Sequence, residues 1–275
     1  MKHTSSLILL SLLLGACSKA QVSETQACLA APSAEVAPIG PFNLNEDSFW
    51  VDATEVTNAQ FEAFVEAEKY TTVAERWDNV TNANWGSAVF TVPTTTRSSW
   101  WRLDPDANWR QPGGAGSDLK GKENHPVVHI TYEDALAYAA WAGGDLPTQE
   151  EWEFAARQGS DGNDKRPGPE EANTWQGVFP ISNEVTDGHD GVAPVGCYAS
   201  SPTGLYDMIG NVWEWTRSEP GQELAVHGWL VGGSHLCSDN FCRNYTPSGR
   251  QRQELNFSAS HIGFRVIYRN NPSNR

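Results

Sequence analysis

Residues 232–242 read GGSHLCSDNFC and place two cysteines, Cys237 and Cys242, on either side of a short polar segment. The Ser-Asp-Asn part of that segment favours a turn, because these side chains hydrogen-bond nearby backbone groups. A turn folds the chain back so that both sulfur atoms face one point, whereas a straight strand would place them on opposite faces. The stretch therefore predicts a close pair of sulfurs near the carboxyl end.

A close pair of cysteines has two chemical uses. In an exported protein it readily forms a structural disulfide. When reduced, two facing thiolates suit a soft monovalent ion such as Cu(I) better than Zn²⁺, which takes four ligands. The spacing alone leaves both uses open and favours the disulfide.

The sequence on both sides of the pair resembles one known family. Residues 232–237 (GGSHLC), Cys242 and residues 258–265 (SASHIGFR) closely resemble the carboxyl-terminal signature of the formylglycine-generating enzymes. Further blocks follow the family's order at residues 52–58 (DATEVTN), 125–129 (HPVVH), 146–153 (LPTQEEWE), 175–177 (WQG) and 210–215 (GNVWEW). A wider superfamily shares several of these blocks, so the cysteine pair is the discriminating feature.

The resemblance implies a single α+β domain with the C-type-lectin-like fold of this family, poor in regular secondary structure. It implies an oxidoreductase that uses Cu(I) and O₂ to convert one cysteine of a client sulfatase into Cα-formylglycine. The implied partner is an unfolded sulfatase polypeptide with a Cys-x-Pro/Ala-x-Arg motif. Two alternatives stay open: a noncatalytic envelope binding module of the same fold, and a related non-heme-iron oxygenase, for which the sequence assembles no His/carboxylate set.

The resemblance also implies roles for individual residues. Cys237 and Cys242 are the expected Cu(I) ligands, and the client cysteine would join them as a third thiolate. Ser234 matches an active-site serine of the family, with a turn hydroxyl as the alternative role. Trp101 is expected to line the client groove and Arg250 to hold the client peptide, although core packing and a surface ion pair are equally ordinary roles.

Two acidic loops are expected to bind Ca²⁺, as their equivalents do in the family. The first set consists of the side chains of Asn173 and Asp187 and the backbone carbonyls of Thr174 and His189. The second set consists of the carboxylates of Asp207 and Glu214 and the carbonyls of Gly210 and Val212. The family commonly has Asn where Asp207 stands, and either side chain offers an oxygen. The alternative for the loop at 187–191 is an ordinary solvated turn.

Three helices are predicted from capping boxes, in which a threonine caps the first turn and a side chain three positions later bonds back to it. The caps are Thr57, Thr131 and Thr148, and the third helix is expected to close at Gly159. Short strands are predicted at 127–130, 230–232 and 264–268, separated by loops rich in Gly, Pro, Asn and Asp.

The amino-terminal segment reads as an export signal. An apolar run at 7–14 is too short to span a bilayer, and small residues precede Cys17 as in a lipobox. We expect a signal peptide at 1–16, acylation of Cys17, a tether at 17–41 and one domain at 42–270. An exported protein, periplasmic or on the outer membrane, would then touch the membrane only through its lipid anchor. A plain cleaved signal is the alternative.

The charge of the chain excludes one class of partner. The formal net charge is -15, and no run of Lys or Arg is present. Nucleic-acid binding needs a concentrated basic surface, so neither DNA nor RNA is an expected partner. Twelve Trp with many Gly and Pro match a loop-rich fold whose rings pack irregular backbone.

A few residues depart from the family pattern or invite a second function. Cys28 and Cys197 are expected to pair with each other in place of the disulfides found in some animal members. His125 and His129 share one strand face if that segment is extended, but packing is the favoured role. His261 stands where the family frequently has Asn, so client recognition is expected to differ here.

Overall fold

The computed structural model describes residues 28, 37–76, 86–94, 99–158, 164–217 and 226–272. The expected signal peptide, Cys17, Gly159 and all of the tether up to residue 36 except Cys28 lie outside the described residues. The first strand already begins at Ile39, inside the expected tether, because Phe42 is buried and anchors this strand. Within the described residues no helix combines the length and apolarity needed to cross a bilayer.

All three predicted helix starts are confirmed. The helices are α1 (Asn58–Glu68), α2 (Tyr132–Trp141) and α3 (Gln149–Arg157), and each begins with a complete capping box on the predicted threonine. Their buried faces carry large rings, among them Phe61, Phe64, Tyr138 and Trp152. Each cap satisfies backbone N–H groups that the first helical turn leaves free, which is why the sequence marked these starts clearly.

The strands form two small sheets and two hairpins. The first sheet has the order β1 (Ile39–Leu44), β2 (Asp47–Val51), β11 (Ile267–Tyr268), all antiparallel. The second has the order β10 (Ile262–Gly263), β7 (Trp213–Thr216), β8 (His227–Val231), β9 (Arg250–Glu254), with β10 parallel to β7. The hairpins pair β3 (Ser87–Phe90) with β4 (Trp101–Asp104), and β5 (Gly177–Val178) with β6 (Ser182–Asn183). The α+β prediction with little regular structure is confirmed.

Two of the predicted strands are wrong in whole or part. Residues 127–130 form no strand, because His129 has φ 62 and turns the backbone out of the extended region. Of residues 264–268 only Ile267 and Tyr268 form a strand. The strand predicted at 230–232 exists as the end of β8, which stops at Val231 because Gly232 has φ 87.

One main core lies between α1, α2 and the second sheet. Phe61 contacts Trp109, Tyr138 and Phe264, with ring centroids 5.3 to 6.4 Å apart. Trp213 and Trp215 enter the same core from β7. The core therefore fixes β7, and with it β10 and β8, whose ends carry the residues of the predicted site.

Candidate functional site

The turn between the two cysteines forms as predicted. The N–H of Ser238 donates to the carbonyl of Phe241 at 2.8 Å, and the N–H of Phe241 donates back to Ser238 at 3.2 Å. Cys242 has φ 53, which turns the chain back toward the first cysteine. The Cα atoms of Cys237 and Cys242 lie 4.8 Å apart, and their sulfurs are joined in a disulfide. The two sulfurs therefore meet at one point.

The backbone before the pair is held by a glycine and a serine. Gly233 has φ 86, and a Cβ there would lie 2.5 Å from Cβ of Tyr245, so only glycine fits. The carbonyl of Ser234 accepts from the N–H of Cys237 at 2.9 Å, and its Oγ accepts from the N–H of Leu236 at 3.3 Å. Ser234 thus performs the turn role that the sequence allowed, while it also faces the cavity described next.

Both cysteines line a cavity of about 290 Å³. Its apolar walls are aromatic rings from Trp101, Phe179, Trp213, Phe241 and Phe257. Its polar lining comes from Ser234, Asn244, Gln251, Gln253 and His261. Cys237 is buried and Cys242 is partly exposed, so the sulfur pair sits at the base of an open, mostly aromatic cleft.

The turn also builds one wall of this cleft. Asn240 bonds the backbone of Phe179 twice: its Oδ1 accepts from the N–H at 3.2 Å and its Nδ2 donates to the carbonyl at 3.1 Å. The ring of Phe179 stacks on Phe241, with centroids 4.2 Å apart and planes 7° apart. The segment that joins the cysteines thereby also positions the rings beside them.

The two predicted client-binding residues have different positions. Trp101 lines the cavity, as predicted. Arg250 does not: its Nη2 donates to Glu153 at 2.7 Å and its Nη1 to Gln149 at 3.0 Å. Side chains alternate along β9, so Gln251 faces the cavity and Arg250 faces away. Arg250 therefore makes a surface ion pair, which is the alternative role that the sequence left open, and its contact with a client stays a prediction.

In the first predicted calcium set, Asp187 contacts the backbone of both Thr174 and His189. The carboxylate of Asp187 accepts from the N–H of Thr174 at 3.0 Å and from the N–H of His189 at 3.2 Å. The Nδ2 of Asn173 is bonded, but its Oδ1 is buried without a partner. Because buried oxygens are nearly always bonded, this orphaned acceptor fits a cation ligand.

In the second predicted set, the carboxylate of Glu214 already has a charged partner. Both oxygens of Glu214 accept from the guanidinium of Arg265 at 2.7 Å, and one of them also accepts from Trp152 Nε1. A calcium ion would have to share Glu214 with this buried cation. The buried acidic oxygen without a partner belongs instead to Glu55, whose other oxygen accepts from Asn211.

Glu55 and Arg265 lie in two of the sequence blocks that resemble the family, and the sequence alone predicted no role for either residue. Their meeting point with Glu214 depends on long-range contacts that no local pattern shows. Glu55, Asp207 and Glu214 are all buried around one guanidinium. The group therefore holds more acidic than basic side chains, and burial raises the pKa of Glu55 well above its usual value and that of Asp207 to about 6.

Replacing Asp207 by Asn is expected to make stability less sensitive to pH. The pKa of Asp207 is raised from 3.8 to about 6. Its contribution to the free energy of unfolding is therefore full below about pH 4 and is lost as the pH rises through about 6. As the pH rises from about 4 to about 6, the unfolding free energy of Asp207→Asn should therefore increase, relative to that of the native protein, by up to about 3 kcal/mol.

Urea unfolding in a calcium chelator at several pH values measures this difference. The buried histidines are the same in both proteins, so their titration cancels in the difference between the two unfolding free energies. The exposed Asp239→Asn variant is the control. A constant difference between Asp207→Asn and native protein across the range would contradict the prediction.

Two further cysteines and one further histidine of the described residues have structural roles. Cys28 and Cys197 form the disulfide that the sequence predicted. His129 is buried, with Nδ1 2.6 Å from Oγ of Ser87 and Nε2 2.9 Å from the carbonyl of Pro112, so packing is its role. Among the described residues, the one group of three close His, Cys and acidic ligands is His189 with this disulfide, whose sulfurs are already bonded to each other.

Fold and site together define an α+β protein with a paired-cysteine cleft. A model of the sulfatase-modifying factor enzyme 1-like domain matches residues 19–270. The chain therefore belongs to this family, and the predicted resemblance is confirmed.

Individual relatives place the chain more closely. It is similar to a formylglycine-generating enzyme of Mycobacterium tuberculosis, 39% identical over 85% of this chain and 91% of that protein. It is also similar to a Bos taurus protein named inactive C-alpha-formylglycine-generating enzyme 2, 43% identical over 79% of this chain and 76% of that protein. The solved structure of PvdO from Pseudomonas aeruginosa shares the fold, with a TM-score of 0.55 at 20% identity over 81% of each chain.

Proposed function

We propose that this protein is an oxidoreductase that converts a cysteine of client sulfatases into Cα-formylglycine. The observation that carries the proposal is the meeting of Cys237 and Cys242 at the base of an open cleft large enough for a peptide side chain. The relatives named formylglycine-generating enzyme support the reaction class. The client is proposed to be an unfolded sulfatase segment with the Cys-x-Pro/Ala-x-Arg motif.

We propose Cu(I) as the cofactor, held by Cys237 and Cys242 in their reduced form. Two soft sulfur donors with Cα atoms 4.8 Å apart fit a metal that accepts low coordination. When bound there, copper would offer a place for the client sulfur and react with O₂. The disulfide must first take up two electrons and two protons, because thiolates and not the disulfide bind metals.

The residues around the pair have defined tasks in this reaction. The buried turn from Ser234 to Cys237 fixes the direction of the first sulfur, and the rings of Trp101 and Phe241 form apolar walls of the cleft beside it. Conversion of CH₂–SH to an aldehyde by O₂ balances with two further electrons and two protons, and it releases sulfide and water. An external thiol is the proposed source of those electrons.

Incubation of the reduced, copper-loaded protein with a motif peptide, O₂ and a thiol should yield the aldehyde by mass spectrometry. A peptide with Ser in place of its Cys is the matched control, because it keeps the motif but has no sulfur to oxidise. Unchanged peptide in the presence of bound copper and two free thiols would refute the proposal.

A noncatalytic binding module is the second candidate. The disulfide between Cys237 and Cys242, and the relative named inactive, are the observations that favour it. In that case the disulfide would resist mild thiol reduction, and no copper would bind. The iron-oxygenase alternative has less support, because the described lining of the cleft offers one histidine, His261, and no carboxylate.

We further propose a Ca²⁺ ion at Asn173, Thr174, Asp187 and His189, on the support of the orphaned Asn173 oxygen. Calorimetric titration of chelator-treated protein tests it, and the absence of any heat of binding would refute it.

Export and a lipid anchor at Cys17 also stay proposals. Labelling with a fatty-acid analogue, compared between native and Cys17→Ser protein, tests the anchor, and equal labelling would contradict it.

A further inference from the structure

His261 lies in the cleft at the start of β10. Its carbonyl accepts from the N–H of Trp213 at 2.8 Å, which ties its backbone to β7. Its side chain is 7% exposed and lines the same cavity as Cys237 and Cys242. The imidazole lies against Trp101, with ring centroids 4.9 Å apart and planes tilted by 34°. Among the described residues its side chain has no hydrogen-bond partner, so backbone and ring contacts fix its position.

The imidazole of His261 has an unused polar atom. Its Nδ1 is buried and has no hydrogen-bond partner. His129 contacts Ser87 and Pro112, and Nδ1 of His235 lies 3.1 Å from the carbonyl of Asn211. Nδ1 of His125 is also buried without a partner, but His125 does not line the cleft, whereas His261 does. Because an unpaired buried polar group is costly, a histidine kept in this state calls for a partner that arrives with a ligand.

The imidazole meets that partner as a neutral group. Burial, together with the nearby His235 and His129, lowers the pKa of His261 to about 3. A neutral ring has one nitrogen that donates and one that accepts a hydrogen bond. It can therefore donate one hydrogen bond and accept another, as the N–H and C=O groups of a peptide backbone require.

The rest of the cleft has the same character. Its polar lining is made of the amides of Asn244, Gln251 and Gln253 with the hydroxyl of Ser234, and no Asp, Glu, Lys or Arg is among the described lining residues. Aromatic walls with amide and imidazole groups match an extended peptide, whose backbone is uncharged and needs hydrogen bonds. The charged arginine of the client motif must then lie outside this cavity.

We propose that His261 hydrogen-bonds the client peptide beside its reacting cysteine and so determines how tightly the client binds. This inference rests on the proposed function, and it names a contact that His261 makes in place of the Asn frequent in the family. The short amide of Asn can present a donor or acceptor near the position of Nδ1, so Asn is the natural replacement.

Replacement of His261 by Leu is expected to weaken binding of a motif peptide by roughly 5- to 100-fold, the range for a lost buried hydrogen bond. His261→Asn should restore affinity to within about threefold of native. Fluorescence anisotropy with a labelled peptide and the copper-loaded protein under argon measures binding without turnover. His227→Leu, on β8 and outside the cleft lining, is the matched control and should bind as native does.

Turnover in air then separates the possible outcomes. We expect His261→Leu to raise KM far more than it lowers kcat, and to bind copper as native does in a chelator competition. Equal peptide affinity in native and His261→Leu protein, while the native protein forms the aldehyde, would overturn this inference alone. Loss of copper from His261→Leu would also overturn it, in favour of a metal-ligand role. A native protein that neither binds nor converts the peptide would overturn the proposed function itself.

Discussion

Replacing either cysteine of the pair by serine should abolish aldehyde formation, with a loss of roughly a thousandfold or more. A metal centre contributes several kcal/mol to a barrier, and each tenfold in rate is about 1.4 kcal/mol. In Cys237→Ser only one of the two sulfurs remains, so Cu(I) cannot be held between two thiolates. Because the two residues act as one unit, the double variant should be no less active than either single variant.

The measurement combines activity with metal content. After reduction, native protein should bind one Cu(I) per chain in a chelator competition under argon, and Cys237→Ser and Cys242→Ser should bind none at that affinity. The double variant Cys28→Ser/Cys197→Ser is the matched control, because it removes the other sulfur pair and leaves the cleft intact. Near-native turnover by Cys237→Ser would exclude a thiolate-held metal.

Replacing Arg265 by Met should destabilise the fold by about 3–5 kcal/mol, the usual effect of removing one partner of a buried ion pair. The side chains of Arg265 and Glu214 are 0% and 1% exposed. Without the guanidinium, the carboxylate of Glu214 would stay buried with no neighbouring cation among the described residues, beside the acidic groups of Asp207 and Glu55. The variant should therefore show a lower midpoint in urea unfolding.

Two further variants give this prediction its contrast. Arg269→Met removes a half-exposed ion pair with Glu151 and should cost about 0–1 kcal/mol. The double variant Arg265→Met/Glu214→Gln should recover part of the loss, because Gln neutralises the stranded charge and its carbonyl can still accept from Trp152. Equal stability of Arg265→Met and Arg269→Met would contradict the role given to the buried pair.

Local signals in the sequence were sufficient for several parts of this structure. The caps at Thr57, Thr131 and Thr148 and the turn between Cys237 and Cys242 depend on side chains within a few positions of the backbone that they bind. Such contacts form in almost any tertiary setting. The order of the family blocks added the global fold, which short-range patterns could not supply.

Other parts depend on contacts between distant segments. The positive φ of His129 and the direction of Arg250 along β9 follow from how neighbouring strands and loops pack, and the sequence predicted neither. Glu214 and Arg265 are 51 positions apart, and no local pattern in the sequence predicted that they would pair. The unpaired imidazole nitrogen of His261 in the amide-lined cleft was not predicted either, because the sequence showed His261 only as a departure from the family pattern.

The bond between Cys28 and Cys197 joins residues 169 positions apart. It secures the amino-terminal segment to the body of the domain well before β1 begins. If Cys17 carries the proposed lipid, the chain from Cys17 to Cys28 spans at most about 40 Å. The disulfide would then set an upper limit on the distance between the bilayer and the domain, and reducing it would raise that limit.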